Sequence, residues 1–261
     1  MNNLANKIVF ITGASSGIGK ACAEAFAGQK ASLILTARRI EKLNDLAQKL
    51  SAETSVRVKC LELDVRDKNK VKEIISSLDD DWENIDVLIN NAGLARGFGK
   101  IYEGETEDWE EMIDTNIKGL LFVTRQILPL MVAKEKGHII NIGSLAGHEV
   151  YPNGNVYAAT KFAVNALSRS IRLDVIDKGI RVSSVDPGLV ETEFSIVRFS
   201  GDEERAKNVY SGIEPLTAED IAEAVLFCAD RPTHVNINEV ILTPVAQASA
   251  TLVHRKNKLT R

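Results

Sequence analysis

The sequence has 261 residues, 44% of them apolar, and a formal net charge of −4, which suits one α/β domain (residues 1–261) with a full hydrophobic core. With no positive excess, neither nucleic acid nor an anionic lipid surface is an expected partner. The three cysteines, Cys22, Cys60 and Cys228, stand far apart without ligand spacing, so they read as buried free thiols, with no disulfide frame and no metal site expected.

The chain enters an apolar run and a glycine loop at once, with no secretory pattern before them. The longest apolar stretch, GLLFVTRQILPLMVA, is short and carries Arg125 and Pro129, so no membrane span is expected and a cytoplasmic address is. Apolar, β-branched runs follow at 8–12, 32–37, 56–63, 87–90, 138–142, 181–186 and 240–243, separated by segments of helical period. Runs such as IVFIT and HIINI do not alternate polar with apolar, as strands covered on both faces should not. The expected fold is therefore a doubly wound, Rossmann-like parallel sheet with helices on both faces. The long connection 187–216 has weak periodicity and one expected helix at 202–210; its length suggests a lid. The tail 244–261 is polar and ends basic, either disordered or an arm for another subunit.

Strand IVFIT runs directly into Gly13, Ser15, Ser16, Gly17, Ile18 and Gly19 within GASSGIG, and a helical segment follows. Glycines let the backbone turn tightly beside a pyrophosphate, and the helix start supplies free N–H groups and partial positive charge. At the end of the second strand an NAD site usually places an acidic residue for the ribose hydroxyl. Here Ala37 holds that place and Arg38 and Arg39 follow. Guanidinium groups suit a 2′-phosphate, so the expected cofactor is NADP(H), the alternative being a surface charge pair.

Tyr157 and Lys161 lie four apart in a helical pattern, which puts ammonium and phenol on one face. A nearby cation favours the phenolate and brings a group of ordinary pKa about 10 closer to acid/base work. Ser144 follows the strand HIINI, at the carboxyl edge where such sheets bind ligands, within reach of a substrate oxygen.

TGASSGIG, LDV at 63–65, NNAG at 90–93, Asn116 in DTNIKG, Ser144 in IGSLAG, YAATK at 157–161 and PG at 187–188 occur in this order over nearly the whole chain. In this combination the sequence resembles the short-chain dehydrogenase/reductase family. The resemblance implies that Asp64 and Val65 border the adenine and that Asn91 and Gly93 line the cofactor cleft. It implies that Lys161 holds the nicotinamide ribose, that Tyr157 is the general acid/base and that Ser144 orients the carbonyl or carbinol. Asn116 would fix a water in a proton relay, and Pro187, Gly188, Val190 and Thr192 would close on the nicotinamide amide.

NNAGLARG, PGLVETEFSIVRFSGD and HVNINEVILTPVAQ resemble the NADP-dependent dehydrogenases of serine, allo-threonine and other 3-hydroxy acids. Those enzymes also reduce malonic semialdehyde and are typically homotetramers, so that assembly is expected. A 3-hydroxy acid needs a cation beside its carboxylate. Arg198, in the lid between Val197 and Phe199, is the first candidate and Arg96 the second; a structural Arg198 facing another subunit is the alternative. Two other functions remain open: a 3-oxoacyl or general carbonyl reductase of the same fold, and a non-catalytic NADP(H)-sensing protein.

Overall fold

The computed structural model describes residues 4–256. Seven parallel strands form one sheet among them: β1 (Ile8–Thr12), β2 (Ser32–Ala37), β3 (Val58–Glu62), β4 (Val87–Asn90), β5 (Gly137–Ile142), β6 (Ile180–Pro187) and β7 (Glu239–Leu242). Between them run α1 (Gly17–Gly28), α2 (Ile40–Thr54), α3 (Lys68–Ser76), α4 (Thr106–Ile113), α5 (Leu120–Ala133), α6 (Asn155–Asp174), α7 (Glu193–Arg198), α8 (Glu203–Asn208) and α9 (Ala218–Ala229). The strand order β3-β2-β1-β4-β5-β6-β7 turns back on itself between β1 and β4. The connections leaving those two strands diverge to opposite sides and open a crevice at their carboxyl ends.

Side-chain alternation sorts the core onto two faces. Val9, Ile11, Leu33, Leu35 and Ile89 pack with Phe26, Leu43 and Val225 from α1, α2 and α9. Ile8, Phe10, Ile34 and Leu88 pack with Val71, Ile127 and Ile171 from α3, α5 and α6. β1, β2, β4 and β5, covered on both faces, are fully buried and mostly apolar, while the edge strands β3 and β7 are only partly buried.

Two expectations are corrected beyond the sheet. The lid holds two helices: the one expected at 202–210 is confined to α8, with Asp202 as its N-cap, and α7 precedes it, started by the Thr192 side chain accepting from the Phe194 N–H. The tail is neither loose nor reaching away as far as Lys256. Gln247 accepts from the Leu189 N–H at 2.9 Å, Ala250 donates to Glu149 at 2.8 Å, and the Lys256 N–H bonds the Gly212 carbonyl at 2.8 Å. Residues 244–256 thus brace this chain's own lid, and the basic end at 257–261 lies outside the described residues.

Phe10 is fully buried in the central strand. Phe10→Ala is expected to cost about 3–5 kcal/mol of stability, the usual range for emptying so large a core site. A guanidinium titration checks this, and an unchanged midpoint would contradict the packing.

Candidate active site

The glycine loop closes the amino end of α1 beneath the crevice. Gly13 has φ +67, and a Cβ there would lie 3.0 Å from the Ala92 Cα. A side chain at Gly19 would run into the Gly13 carbonyl. Only hydrogen at these two positions lets the loop fold down onto α1, leaving the helix N–H groups open toward an anion. Asn91 pins the loop by donating to the Thr12 carbonyl at 2.9 Å.

Arg39 reaches across this loop. Its Nη2 donates to Ser16 Oγ at 2.8 Å and Ser15 Oγ at 3.1 Å, and its Nη1 to Glu193 at 3.0 Å. Arg38 is more exposed and meets Glu111 only at 4.0 Å. Asp64 and Val65 line the same cleft. Burial resists ionisation of Asp64, yet its bonds to Arg66, 2.6 Å at the shortest, hold the carboxyl below the usual range.

The catalytic candidates meet at the carboxyl ends of β4, β5 and β6. Lys161 Nζ donates to the Ile142 carbonyl at 2.9 Å and lies 5.9 Å from the centre of the Tyr157 ring. Both side chains are buried. Spacing alone expects Lys161 to ease ionisation of the phenol, but burial dominates both groups. It pushes Tyr157 well up, with Tyr151 adding to the rise, while a bond from Ser144 and the charge of Arg198 pull it back. Burial brings the Lys161 ammonium down to about 8 against the opposing field of Asp186.

Asn116 sits in a π turn at Asp114–Gly119 between α4 and α5, a break in helical bonding frequent at functional sites. Its Oδ1 accepts from the Leu94 N–H at 2.9 Å. Its Nδ2 donates to the Leu94 carbonyl at 2.8 Å and to Thr160 at 3.0 Å. The side chain therefore ties the loop after β4 to α6, one residue before Lys161. Asn116 and Gly19 stand behind the wall of the cleft; the remaining cofactor and catalytic candidates from Gly13 to Thr192 line it, with Arg198 across from them.

The lid carries the part that sequence placed least well. Arg198 donates to Tyr151 Oη at 2.9 Å and to the Gly97 carbonyl at 3.3 Å. Its guanidinium lies 4.8, 5.6 and 5.5 Å from the ring centres of Phe98, Tyr151 and Tyr157. No carboxylate among the described residues pairs with it. Arg96, the second candidate, is committed elsewhere: it pairs with Glu111 at 2.6 Å and donates to the Val197 carbonyl at 3.0 Å. Sequence reasoning missed Tyr151, Phe98, Phe194 and Gln247, which line the same cleft. Side chains in loops, or in a helix as short as α7, carry no periodic signal, and only the fold brings these four to the cleft.

The cleft encloses about 850 Å³. Its glycine floor, the N–H groups of α1 and the Arg39 fork fit a dinucleotide bearing a 2′-phosphate.

What the sheet, the floor of the cleft and the buried phenol define together is a dinucleotide-dependent oxidoreductase. The chain belongs to the short chain dehydrogenase family, which it matches over residues 7–202. It is 46% identical over 257 residues to an NADP-dependent 3-hydroxy acid dehydrogenase of Schizosaccharomyces pombe, covering 98% of this chain and 99% of the relative. It is 41% identical over 242 residues to a serine 3-dehydrogenase of Agrobacterium fabrum, covering 93% and 95%. Among solved structures it superposes on the closed form of serine dehydrogenase complexed with NADP+ at a TM-score of 0.89 and 46% identity, covering 95% of this chain and 100% of that one.

The contrast between the two arginines is testable. Arg39→Ala is expected to weaken NADP(H) binding tenfold or more, the size of a lost charged hydrogen bond, with NAD(H) little changed. Arg38→Ala is expected to do less. Fluorescence titration with both cofactors checks this, and equal use of NAD and NADP by the parent protein would overturn the reading of this turn.

Proposed function

We propose that this chain is an NADP(H)-dependent dehydrogenase of small 3-hydroxy acids, of the serine, allo-threonine and 3-hydroxypropionate type. Run in reverse, it reduces a 3-oxo acid such as malonic semialdehyde. The observation that carries the substrate reading is Arg198, held over the rings of Phe98, Tyr151 and Tyr157 with no carboxylate partner among the described residues. The names of the relatives support the same class. A general carbonyl or 3-oxoacyl reductase has no need of a bare cation at that place.

NADP+, when bound, would supply the acceptor for the hydride that leaves the carbinol carbon. The chain's own residues handle everything else. Arg198 takes the carboxylate, sheltered by the rings that strengthen the pair. Ser144, whose Oγ lies 3.5 Å from the Pro187 carbonyl, holds the carbinol oxygen beside Tyr157. Tyr157 Oη removes the hydroxyl proton in oxidation and returns it in reduction. Lys161 supplies the positive charge that binds the ribose hydroxyls and supports the phenolate. Asn116 ties together the loop and helix that carry these groups and would fix a water in a proton relay from Lys161. Gly13, Ser15, Ser16, Gly17 and Ile18 form the pyrophosphate floor, Asp64 and Val65 the adenine wall, and Asn91, Gly93, Pro187, Gly188, Val190 and Thr192 the nicotinamide end. The chain acts as one catalytic unit with residues 187–216 as its lid.

The assembly proposed with this function is a homotetramer in the cytoplasm. Exposed Leu121, Phe162, Leu173 and Ile176 on and just beyond α5 and α6 support association. No helix among the described residues is long and apolar enough to cross a membrane.

Tyr157→Phe is expected to cut turnover by roughly a hundredfold to ten-thousandfold, the usual worth of a general acid/base, with NADPH affinity within a few-fold. Tyr157 must lose its proton before it can act as the base, and burial holds that proton more tightly than in a free phenol. NADP-dependent oxidation is therefore expected to rise toward alkaline pH. Absorbance at 340 nm checks both, and substantial residual activity would remove Tyr157 from the chemistry.

Arg198→Leu is expected to raise KM for serine or 3-hydroxypropionate tenfold or more, while reduction of a small neutral carbonyl suffers far less. Equal losses on both substrate types would make Arg198 a support of the lid.

A further inference from the structure

Behind the catalytic pair, away from the cleft, lies a second cluster of titratable side chains. Asp186, near the end of β6, is wholly buried. β5 and β6 are in register here, with Ile142 opposite Val185, so Asp186 lies against the backbone of Gly143. Its Oδ1 fills the place a Cβ on Gly143 would take. The peptide it touches joins Ile142, the acceptor for Lys161 Nζ, to Ser144. The next residue, Pro187, offers its carbonyl to Ser144. One carboxylate thus sits between the anchor of Lys161 and the seat of Ser144.

That carboxylate is fully partnered on its far side. His148 Nε2 lies 2.8 Å from Oδ2, and the Ser184 hydroxyl donates to Oδ1. Asn165 approaches the same histidine nitrogen at 3.0 Å. Farther out, Glu239 of β7 lies 3.7 Å from His148 and 3.4 Å from Arg169, and Arg172 faces Glu239 as well. A buried carboxylate survives only where it is paired and hydrogen-bonded. Burial pushes its proton affinity up, and Ser184 and His148 oppose the rise.

We propose that Asp186, held by His148, is a positioning residue for Lys161: from behind the Gly143 backbone its negative charge keeps the ammonium protonated while Tyr157 gives up its proton. This rests on the roles given above to Tyr157 and Lys161. When the buried pair holds a single proton, that proton sits either on the lysine, leaving a working phenolate, or on the phenol, leaving a neutral amine. A negative charge on the lysine side selects the first arrangement. Arg198, on the phenol side, selects the same one. The two charges polarise the pair from opposite ends, and proton transfer to and from substrate draws on the phenolate they maintain.

The experiment compares pH profiles of NADP-dependent oxidation for the parent, Asp186→Asn and His148→Gln, with thermal melts as a check of folding. Asp186→Asn keeps the shape and removes the charge. It is expected to lower the alkaline plateau tenfold or more and to move the rising limb about one unit toward acid, because the pair loses its first proton more easily and loses it from the lysine. His148→Gln leaves the carboxyl freer to take up a proton as pH falls. Its loss is expected to be largest at the acid end of the profile and to fade toward the alkaline end, where Asp186 ionises unaided. If Asp186→Asn does not fold, the His148→Gln profile decides.

A rising limb unmoved in Asp186→Asn, or a loss in His148→Gln that is uniform with pH, overturns the proposal and leaves the cluster a packing feature. Tyr157→Phe is run alongside: if it is active, the site reading itself fails. If it is inactive while Asp186→Asn keeps the parent profile, the inference about Asp186 alone fails.

Discussion

The constraint on which the rest of the site depends is the burial of the Lys161 ammonium. Taking an amine from water into an apolar interior disfavours its charged form, by several pKa units when nothing compensates, and here the group comes down to about 8. The surrounding structure compensates with oriented acceptors and charge. The Ile142 carbonyl, at the end of a central parallel strand, points its lone pair at Nζ. A β5–β6 register that sets Asp186 against Gly143 supplies negative potential from behind. Neither group is free to move, because both belong to strands covered on each face. The sheet fixes where a buried charge can be tolerated, and α6 delivers the lysine to that place with Tyr157 one turn before it.

Asn116 shows how the helical layer is fitted to this point. A regular helix from Thr106 to Ala133 would carry its side chains past the loop after β4. The π turn at Asp114–Gly119 widens one turn and brings the Asn116 amide square onto the Leu94 peptide, with two bonds to it and one to Thr160. Three elements far apart in sequence are thereby locked at one residue. Leaving either amide group unpaired at a buried position would cost about 1–3 kcal/mol, so the choice of residue at 116 is demanding. Glu111, a turn earlier, gathers Arg66 at 3.2 Å and Arg96 at 2.6 Å. α4 thereby holds the loop after β3 and the loop after β4 together.

The parallel sheet was legible because strands covered on both faces are written as unbroken apolar runs, and helices of clear period separate them. The glycine floor and the Tyr157/Lys161 face were legible because their chemistry depends on short-range spacing. The parts that escaped depend on long-range register. Nothing at 148 or 186 announces that a histidine and an aspartate will meet across 38 positions at 2.8 Å. Lys161 likewise reads as a plain helper of the phenol until burial is known, and burial reverses the expected direction on the phenol while lowering the lysine to about 8. The lid helix α7 was hidden by its length: six residues are fewer than two turns and show no period. The tail, polar and basic in sequence, lies along the lid by bonding backbone groups of Leu189 and Gly212, partners that no side-chain pattern announces.

α7 also joins the two ends of the cleft. Glu193, at its start, pairs with Arg39 at 3.0 Å and Lys42 at 3.2 Å, while Arg198, at its end, stacks over the rings beside Tyr157. At about 1.5 Å per residue the helix is only about 9 Å long, so it acts as a short rigid bar between Arg39 and the rings that hold Arg198. The pairs at the Glu193 end are both substantially exposed, and pairs of that kind are worth about 0–1 kcal/mol. A phosphate offered to Arg39 forms charge-assisted bonds of greater worth, so the arginine can turn from Glu193 to the cofactor at little cost. At the other end Arg198 is held by two hydrogen bonds and three rings, and nothing comparable competes for it. The helix is lightly held at its Glu193 end and firmly held at its Arg198 end, so Glu193 can part from Arg39 without displacing Arg198 from Tyr151 and the rings around it.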